Sequence, residues 1–264
     1  IIIDGLSEDI HTIKVLKRSE STDSKTSIKS LETDGYFIEN EPYKERKIEV
    51  IAASSSAGYG NLISNGVGDK TTANSDGLRS FATLTAKYLD AEINIFSASG
   101  WAVKKSPWHG NSNIPNKYDY VDVESSIRWS FNNYVPDIYV VNLGTNDWSY
   151  INTLSNSSER QEALENFINA YVDFIVKLHN LNKDASIIIV YGLMNETNIF
   201  EATNDVYQVI KDDYSEIDIH ILQLPKANLS DGMGAGSHPG LVTHEKAALL
   251  LSSKIAEIKN WSID

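Results

Sequence analysis

Four short stretches of the chain carry residue types suited to acyl transfer. Ser54 lies in Ala52-Ala53-Ser54-Ser55-Ser56-Ala57-Gly58-Tyr59-Gly60-Asn61, and Gly100 closes Ala98-Ser99-Gly100. Asn146 lies in Gly144-Thr145-Asn146-Asp147, and His238 in Gly236-Ser237-His238-Pro239-Gly240. A serine hydroxyl becomes a useful nucleophile only when a base within hydrogen-bond reach takes its proton. The negative charge that then develops on a carbonyl oxygen needs donors already in place. Ser54 as nucleophile, His238 as base, and the backbone N–H groups of Ser54 and Gly100 with the Asn146 amide as donors would meet both needs. This chemistry calls for no metal and no cofactor. Each residue also has a plain reading. Ser54 sits in a Ser/Gly-rich turn, Gly100 permits a turn, Asn146 is a good helix cap, and His238 is a loop residue. Ser55 and Ser56 are expected to satisfy loop backbone, and Asp147 to be structural. His11, His179, His220 and His244 have no partner pattern and read as structural or surface residues; His109 is a candidate for the site rim.

Positioning such residues requires strands that deliver them to one edge. From Lys47 onward the chain alternates short apolar strands with amphipathic helices. Strands are expected at 47–52, 93–97, 138–143, 185–191 and 217–222. Helices are expected at 76–89, 123–131, 158–181, 198–211 and 243–258. Leu164, Phe167, Ile168, Tyr171, Val172, Ile175 and Leu178 make one apolar face of the longest helix. The run Ala185 to Tyr191 is continuously apolar, as in a strand buried on both faces. Repeated β/α alternation argues for an α/β fold, a three-layer α/β/α sandwich around a parallel sheet. Right-handed crossovers then bring the ends that carry Ser54, Gly100 and Asn146 to the same edge, where ligands bind in open α/β sheets.

Residues 1–46 look different. Partial alternation in His11–Arg18, Ser27–Leu31 and Tyr36–Glu39 predicts three short strands, separated by polar stretches such as Ser19–Thr26. Three strands make a poor independent domain, so they are expected to pack on the main body or to belong to a larger sheet. Glu41–Arg46 reads as a linker, which divides the chain at 46/47. The 264 residues are 41% hydrophobic and 22% charged, with a net charge of -13 and no cysteine. The charge disfavours nucleic acid as a partner. The absence of cysteine excludes disulfides and sulfur-bound zinc. No apolar run is long enough to cross a bilayer, and the first residues do not form a signal peptide.

The four blocks, in this order, resemble the SGNH hydrolase superfamily, with Ser54, Gly100, Asn146 and His238 on the positions that give it its letters. Within it the chain is most similar to carbohydrate esterase family 2. The stretches carrying that likeness are His11-Thr12-Ile13 with Lys17-Arg18, Ser54 to Asn61, Phe96 to Gly100, and Asn142 to Asp147. The resemblance implies a flavodoxin-like SGNH domain over 47–264. It also implies that residues 1–46 are the last strands of an N-terminal β-sandwich (jelly roll). It further implies removal of acetyl groups from plant polysaccharides such as xylan and glucomannan by a secreted or cell-surface bacterial protein, the acetylated polysaccharide being its partner. Two positions depart from the pattern. Ala52 and Ala53 precede Ser54 where the family has glycine and aspartate. Ala235 and Gly236 stand where an acid would precede the histidine. A main-chain carbonyl between Gly234 and Ser237 is the expected acceptor for the second ring nitrogen of His238, with Asp231 as a remote alternative.

Trp101, Trp108, Trp148 and Tyr59 lie in the loops that would surround the site. Flat aromatic faces suit the C–H faces of sugars, though one or two of them are equally able to fill core space. Two other readings stay open: a carbohydrate-binding protein with a weak or inactive site, and an SGNH lipase or thioesterase with an apolar acyl groove.

Overall fold

The computed structural model describes residues 1–38, 44–194 and 199–263. Five strands form one sheet: β1 (Lys47–Ala52), β2 (Glu92–Ser97), β3 (Ile138–Asn142), β4 (Ser186–Tyr191) and β5 (Ile219–Gln223). All neighbours are parallel and the order is β2-β1-β3-β4-β5. The helices are α1 (Phe81–Tyr88), α2 (Ile114–Lys117), α3 (Thr145–Ile151), α4 (Ser157–Leu181), α5 (Ile199–Asp213) and α6 (Leu241–Lys259).

Alternation along each strand sends side chains to two separate cores. Ile48, Val50, Val140, Ile188 and Val190 pack with Phe81 and Ala82 of α1 and with Leu251 and Ile255 of α6. Ile51, Val141, Ile187 and Ile189 pack on the other face with Phe167, Tyr171 and Ile175 of α4 and with Val206 and Ile210 of α5. The sheet is therefore the middle of three layers, as the β/α alternation requires. The chain steps from β1 outward to β2, then crosses back to β3. The carboxyl ends of β1 and β3 thus flank a switch point, where an open parallel sheet leaves a crevice. In register, Ala52 lies beside Asn142 on one side and Ser97 on the other. The loops bearing Ser54, Gly100 and Asn146 start from that one level.

Several expectations are corrected. No residue from 1 to 38 joins a strand, and Ile13, Val15, Leu16, Ile28 and Leu31 are exposed. Alternating apolar residues form a strand only where a neighbouring strand accepts their backbone hydrogen bonds, and none does so among the described residues. Glu39 and residues 41–43 of the expected third strand and linker lie outside the described residues. One part of the segment does dock on the main body. The Arg18 carbonyl accepts the Gly77 N–H at 2.8 Å, its guanidinium donates to the Thr72 carbonyl at 3.1 Å, and Glu20 is buried.

Residues 123–131 do not form an α-helix; only Phe131 enters a short 3₁₀ turn, Phe131–Asn133. Glu124 N–H donates to Asp122 Oδ1 (2.8 Å), Ile127 N–H to Ser125 Oγ (3.0 Å), and Val121 N–H to the Ile127 carbonyl (3.0 Å). Side-chain acceptors there take the donors that a helix would use. The first helix also starts late. Asp76 caps a short 3₁₀ turn, Gly77–Arg79, through the Leu78 N–H, and α1 begins at Phe81. β5 begins at Ile219 rather than Ile217, and Asn198, the expected start of α5, lies outside the described residues.

Candidate active site

Ser54 follows β1 directly. Its Oγ lies 2.8 Å from Nε2 of His238, and Nδ1 of the same ring lies 3.0 Å from the Ala235 carbonyl. A carbonyl oxygen only accepts, so Nδ1 carries the proton and Nε2 presents a lone pair to the Ser54 hydroxyl. The acceptor falls within the Gly234–Ser237 stretch expected from the sequence. Burial pushes the His238 pKa down to about 4, against the smaller raising effect of the neighbouring backbone carbonyls. The ring is therefore neutral at pH 7, which is the protonation state a base requires. Tyr59 stacks on it with ring centroids 3.9 Å apart and planes at 17°. Asp231 is not a partner of His238. Its carboxylate is taken by Lys246 (2.8 Å to each oxygen) and by Asn228 (2.8 Å).

The local backbone explains why loops distant in sequence meet here. The Ala235 N–H donates to the Gly60 carbonyl at 3.0 Å, and the Met233 N–H to the Ser64 carbonyl at 3.1 Å. Gly60 has φ +54°, and a Cβ there would sit 2.2 Å from Cβ of Ala235. Only glycine lets the serine loop and the histidine loop approach this closely.

The donor side comes from β2 and β3. Gly100 has φ +79°, and a Cβ on it would sit 3.1 Å from Nε2 of His109. Among the described residues the backbone N–H groups of Ser54 and Gly100 donate to no protein acceptor. Asn146 lies in the first turn of α3, which begins after Gly144 (φ +115°). Its Nδ2 donates to the Trp101 carbonyl at 2.6 Å. That bond uses one of its two hydrogens and fixes the direction of the other. Asp147 is structural: it is buried and accepts the N–H groups of Val103 (2.9 Å), Lys104 (2.7 Å) and Lys105 (3.2 Å). It thereby ties α3 to the loop that carries Gly100 and Trp101. Burial raises its pKa to about 6, opposed by those three donors.

The aromatic residues divide by exposure. Trp108 is 61% exposed, Trp148 is half-buried against the α4 core, and Trp101 is only 7% exposed, with His109 stacked over it at 5.1 Å. Two charged residues unassigned from the sequence also reach this region. Lys70 Nζ lies 5.3 Å from the centroid of the Tyr59 ring, and Glu20 accepts hydrogen bonds from Ser99. Glu20 lies in a polar run that Asp23 and Lys25 also interrupt, so no signal in the sequence sets it apart.

A family model described as GDSL-like Lipase/Acylhydrolase matches residues 48–249. The chain belongs to this family. Similar proteins include the Cellulase/esterase CelE of Acetivibrio thermocellus, 27% identical over 98% of this chain and 31% of that protein. An acetylxylan esterase / glucomannan deacetylase of Cellvibrio japonicus is 24% identical over 95% of the chain and 68% of the relative. The chain thus spans about a third of the first of these relatives. Among solved structures, a family two carbohydrate esterase from Clostridium thermocellum in complex with cellohexaose superposes with a TM-score of 0.75 at 29% identity. The match covers 85% of this chain and 67% of that one. The acetyl xylan esterase Est2A from Butyrivibrio proteoclasticus gives a TM-score of 0.75 at 25% identity, over 86% and 68% of the two chains.

Proposed function

We propose that the chain is a serine esterase that removes O-acetyl groups from plant cell-wall polysaccharides such as xylan or glucomannan. The observation that carries this reading is the Ser54 hydroxyl 2.8 Å from a neutral His238 nitrogen, with the opposite nitrogen on the Ala235 carbonyl. Ser54 Oγ attacks the acetyl carbonyl as Nε2 takes its proton, and the carbonyl oxygen becomes an oxyanion. The N–H groups of Ser54 and Gly100 and the free hydrogen of the Asn146 amide hold that charge. His238 then protonates the departing sugar oxygen, leaving an acetyl-enzyme. A water that gives its proton to Nε2 attacks this intermediate, and acetate leaves as Ser54 recovers the proton.

In this reading Trp108, Trp148 and Tyr59 border the sugar, with Trp101 beneath His109 as part of the wall. The acetylxylan esterases among the relatives support the substrate class. We place the domain boundary at 46/47 and read residues 1–46 as a partial β-sandwich. The same relationships support a secreted or cell-surface location.

A second reading is non-catalytic glucan binding. It is favoured by the missing acid beside His238 and by the cellohexaose complex of the Clostridium thermocellum neighbour. One experiment separates the two: hydrolysis of a short-chain aryl acetate by the wild type and by Ser54→Ala, with a glucan pull-down in parallel. The esterase reading expects turnover that falls by at least about 10³-fold in Ser54→Ala. Equal rates remove Ser54 from the mechanism, and no turnover with retained glucan binding favours the second reading.

A further inference from the structure

Glu20 belongs to the N-terminal segment, outside the family match at 48–249. Its side chain is 3% exposed. Oε2 accepts the Ser99 N–H at 2.7 Å, and Oε1 accepts the Ser99 hydroxyl at 2.5 Å. Oε1 also pairs with Lys70, whose ammonium reaches Asp23 at 2.6 Å and lies over the ring of Tyr59. Tyr59 in turn stacks on His238.

Ser99 immediately precedes Gly100. The Ser99 carbonyl and the Gly100 N–H share one planar peptide, so fixing one fixes the other. His109 Nε2 holds that carbonyl at 3.3 Å from one side, and Glu20 grips the Ser99 N–H and hydroxyl from the other. The carboxylate therefore anchors Ser99 on the amino side of the next peptide, while His109 holds that peptide itself, whose N–H donates to no protein acceptor among the described residues. Burying a carboxylate with a lysine is weak evidence for a stabilising role, because desolvation offsets the attraction. The geometry here favours a positioning role.

We propose that Glu20, clamped by Lys70, is a positioning residue that aims the Gly100 N–H at the oxyanion and couples that donor to His238. The inference rests on the esterase reading above. The charged and titratable groups facing His238 agree with it. Glu20 raises the pKa of the imidazole, Lys70 lowers it, Asp23 pairs with Lys70, and His244 on α6 stays neutral because burial holds it down to about 3. Removing the charge of Glu20 leaves Lys70 less opposed and disfavours imidazolium. Removing Lys70 does the reverse.

The test uses the full chain with Glu20→Gln, Lys70→Met and Ser54→Ala on an aryl acetate across pH. Glu20→Gln should lower kcat about 10- to 100-fold, the scale of a misaimed oxyanion donor, with KM within about 2-fold. Its acid limb in kcat/KM should move to lower pH, and that of Lys70→Met to higher pH. If Glu20→Gln does not fold, the limb shift in Lys70→Met carries the test. A folded Glu20→Gln with wild-type kcat and an unmoved limb overturns the inference. So does a loss that only follows the unfolded fraction at constant limb position. Turnover retained in Ser54→Ala sinks the esterase reading and this inference with it. An inactive Ser54→Ala beside an unaffected Glu20→Gln removes this inference alone.

Discussion

Replacing Gly60 with alanine adds one methyl group at the seam between the two loops that carry Ser54 and His238. The backbone at Gly60 is left-handed (φ +54°), which costs a residue with a Cβ about 1–2 kcal/mol. The new Cβ would lie 2.2 Å from the Cβ and 2.9 Å from the N of Ala235. Ala235 is fully buried, so neither side gives way freely, and overpacking of this kind typically costs about 1–3 kcal/mol. The two contributions together amount to about 2–5 kcal/mol of stability. The relief movement has a direction: it pushes Ala235 away from Gly60. That lengthens the 3.0 Å bond from the Ala235 N–H to the Gly60 carbonyl and shifts the carbonyl that holds Nδ1 of His238. A displacement near 1 Å between reacting groups lowers rate on the order of 10²-fold. Gly60→Ala should therefore lose about 10²-fold in kcat on an aryl acetate and show a clearly lower midpoint in urea. Wild-type kcat together with a wild-type midpoint would refute the claim that this contact sets the geometry of the dyad. A lowered midpoint with unchanged kcat would mean that the loops move together and that Ala235 is not pushed relative to Ser54.

Two further expectations concern pH. His238 must be neutral to act as a base, and burial holds its pKa near 4 rather than the ordinary 6.5. The kcat/KM profile should stay level from neutrality down to about pH 5 and fall below it; an acid limb near 6.5 would contradict the buried, neutral ring. Glu49 on β1 is buried with Asn94 Nδ2 at 3.2 Å, and desolvation raises its pKa from 4.5 to about 7. Between those values the unfolded chain has lost a proton that the folded chain keeps, so stability falls as pH rises through that window, by about 3 kcal/mol in all. Urea unfolding at about pH 4.5 and pH 8 should show the wild type losing about 3 kcal/mol more than Glu49→Gln over that span, because the opposite contributions of the neutral His238 and His244 and that of Asp147 are common to both proteins; equal changes in the two would assign the effect to other groups.

The sheet was legible because its strands are runs of β-branched residues buried on both faces, and such runs leave little choice of partner. Ile187–Val190 and Val140–Val141 are of this kind. The four blocks were legible for a related reason: each follows a strand or precedes a helix, so topology alone places them near one another. Legibility failed where a pattern depends on a partner. The alternation in His11–Arg18 is real, yet nothing among the described residues pairs with it. In Val123–Phe131 the apolar spacing suggested a helix, but Asp122 and Ser125 redirect the backbone donors. Glu20 was invisible because no periodicity announces a buried carboxylate, and its partners, Lys70 and Ser99, are remote in sequence. The place of Tyr59 in the serine loop suggests a sugar contact, and its stacking on His238 is a contact across 179 residues (238 − 59) that only the fold supplies.

The group that orients His238 is a main-chain oxygen, and this changes what mutagenesis can reveal. No side-chain exchange at position 235 deletes a peptide carbonyl, so an alanine scan in search of a third catalytic member would pass over it without a signal. Bulk is constrained at that position and chemical character is not. Evolution can therefore vary the letter there, within the space left by Gly60, without dismantling the relay. An ester-for-amide swap does not remove this oxygen either, but it weakens it as an acceptor, and a graded loss of rate on that replacement is how the silent participant would make itself known.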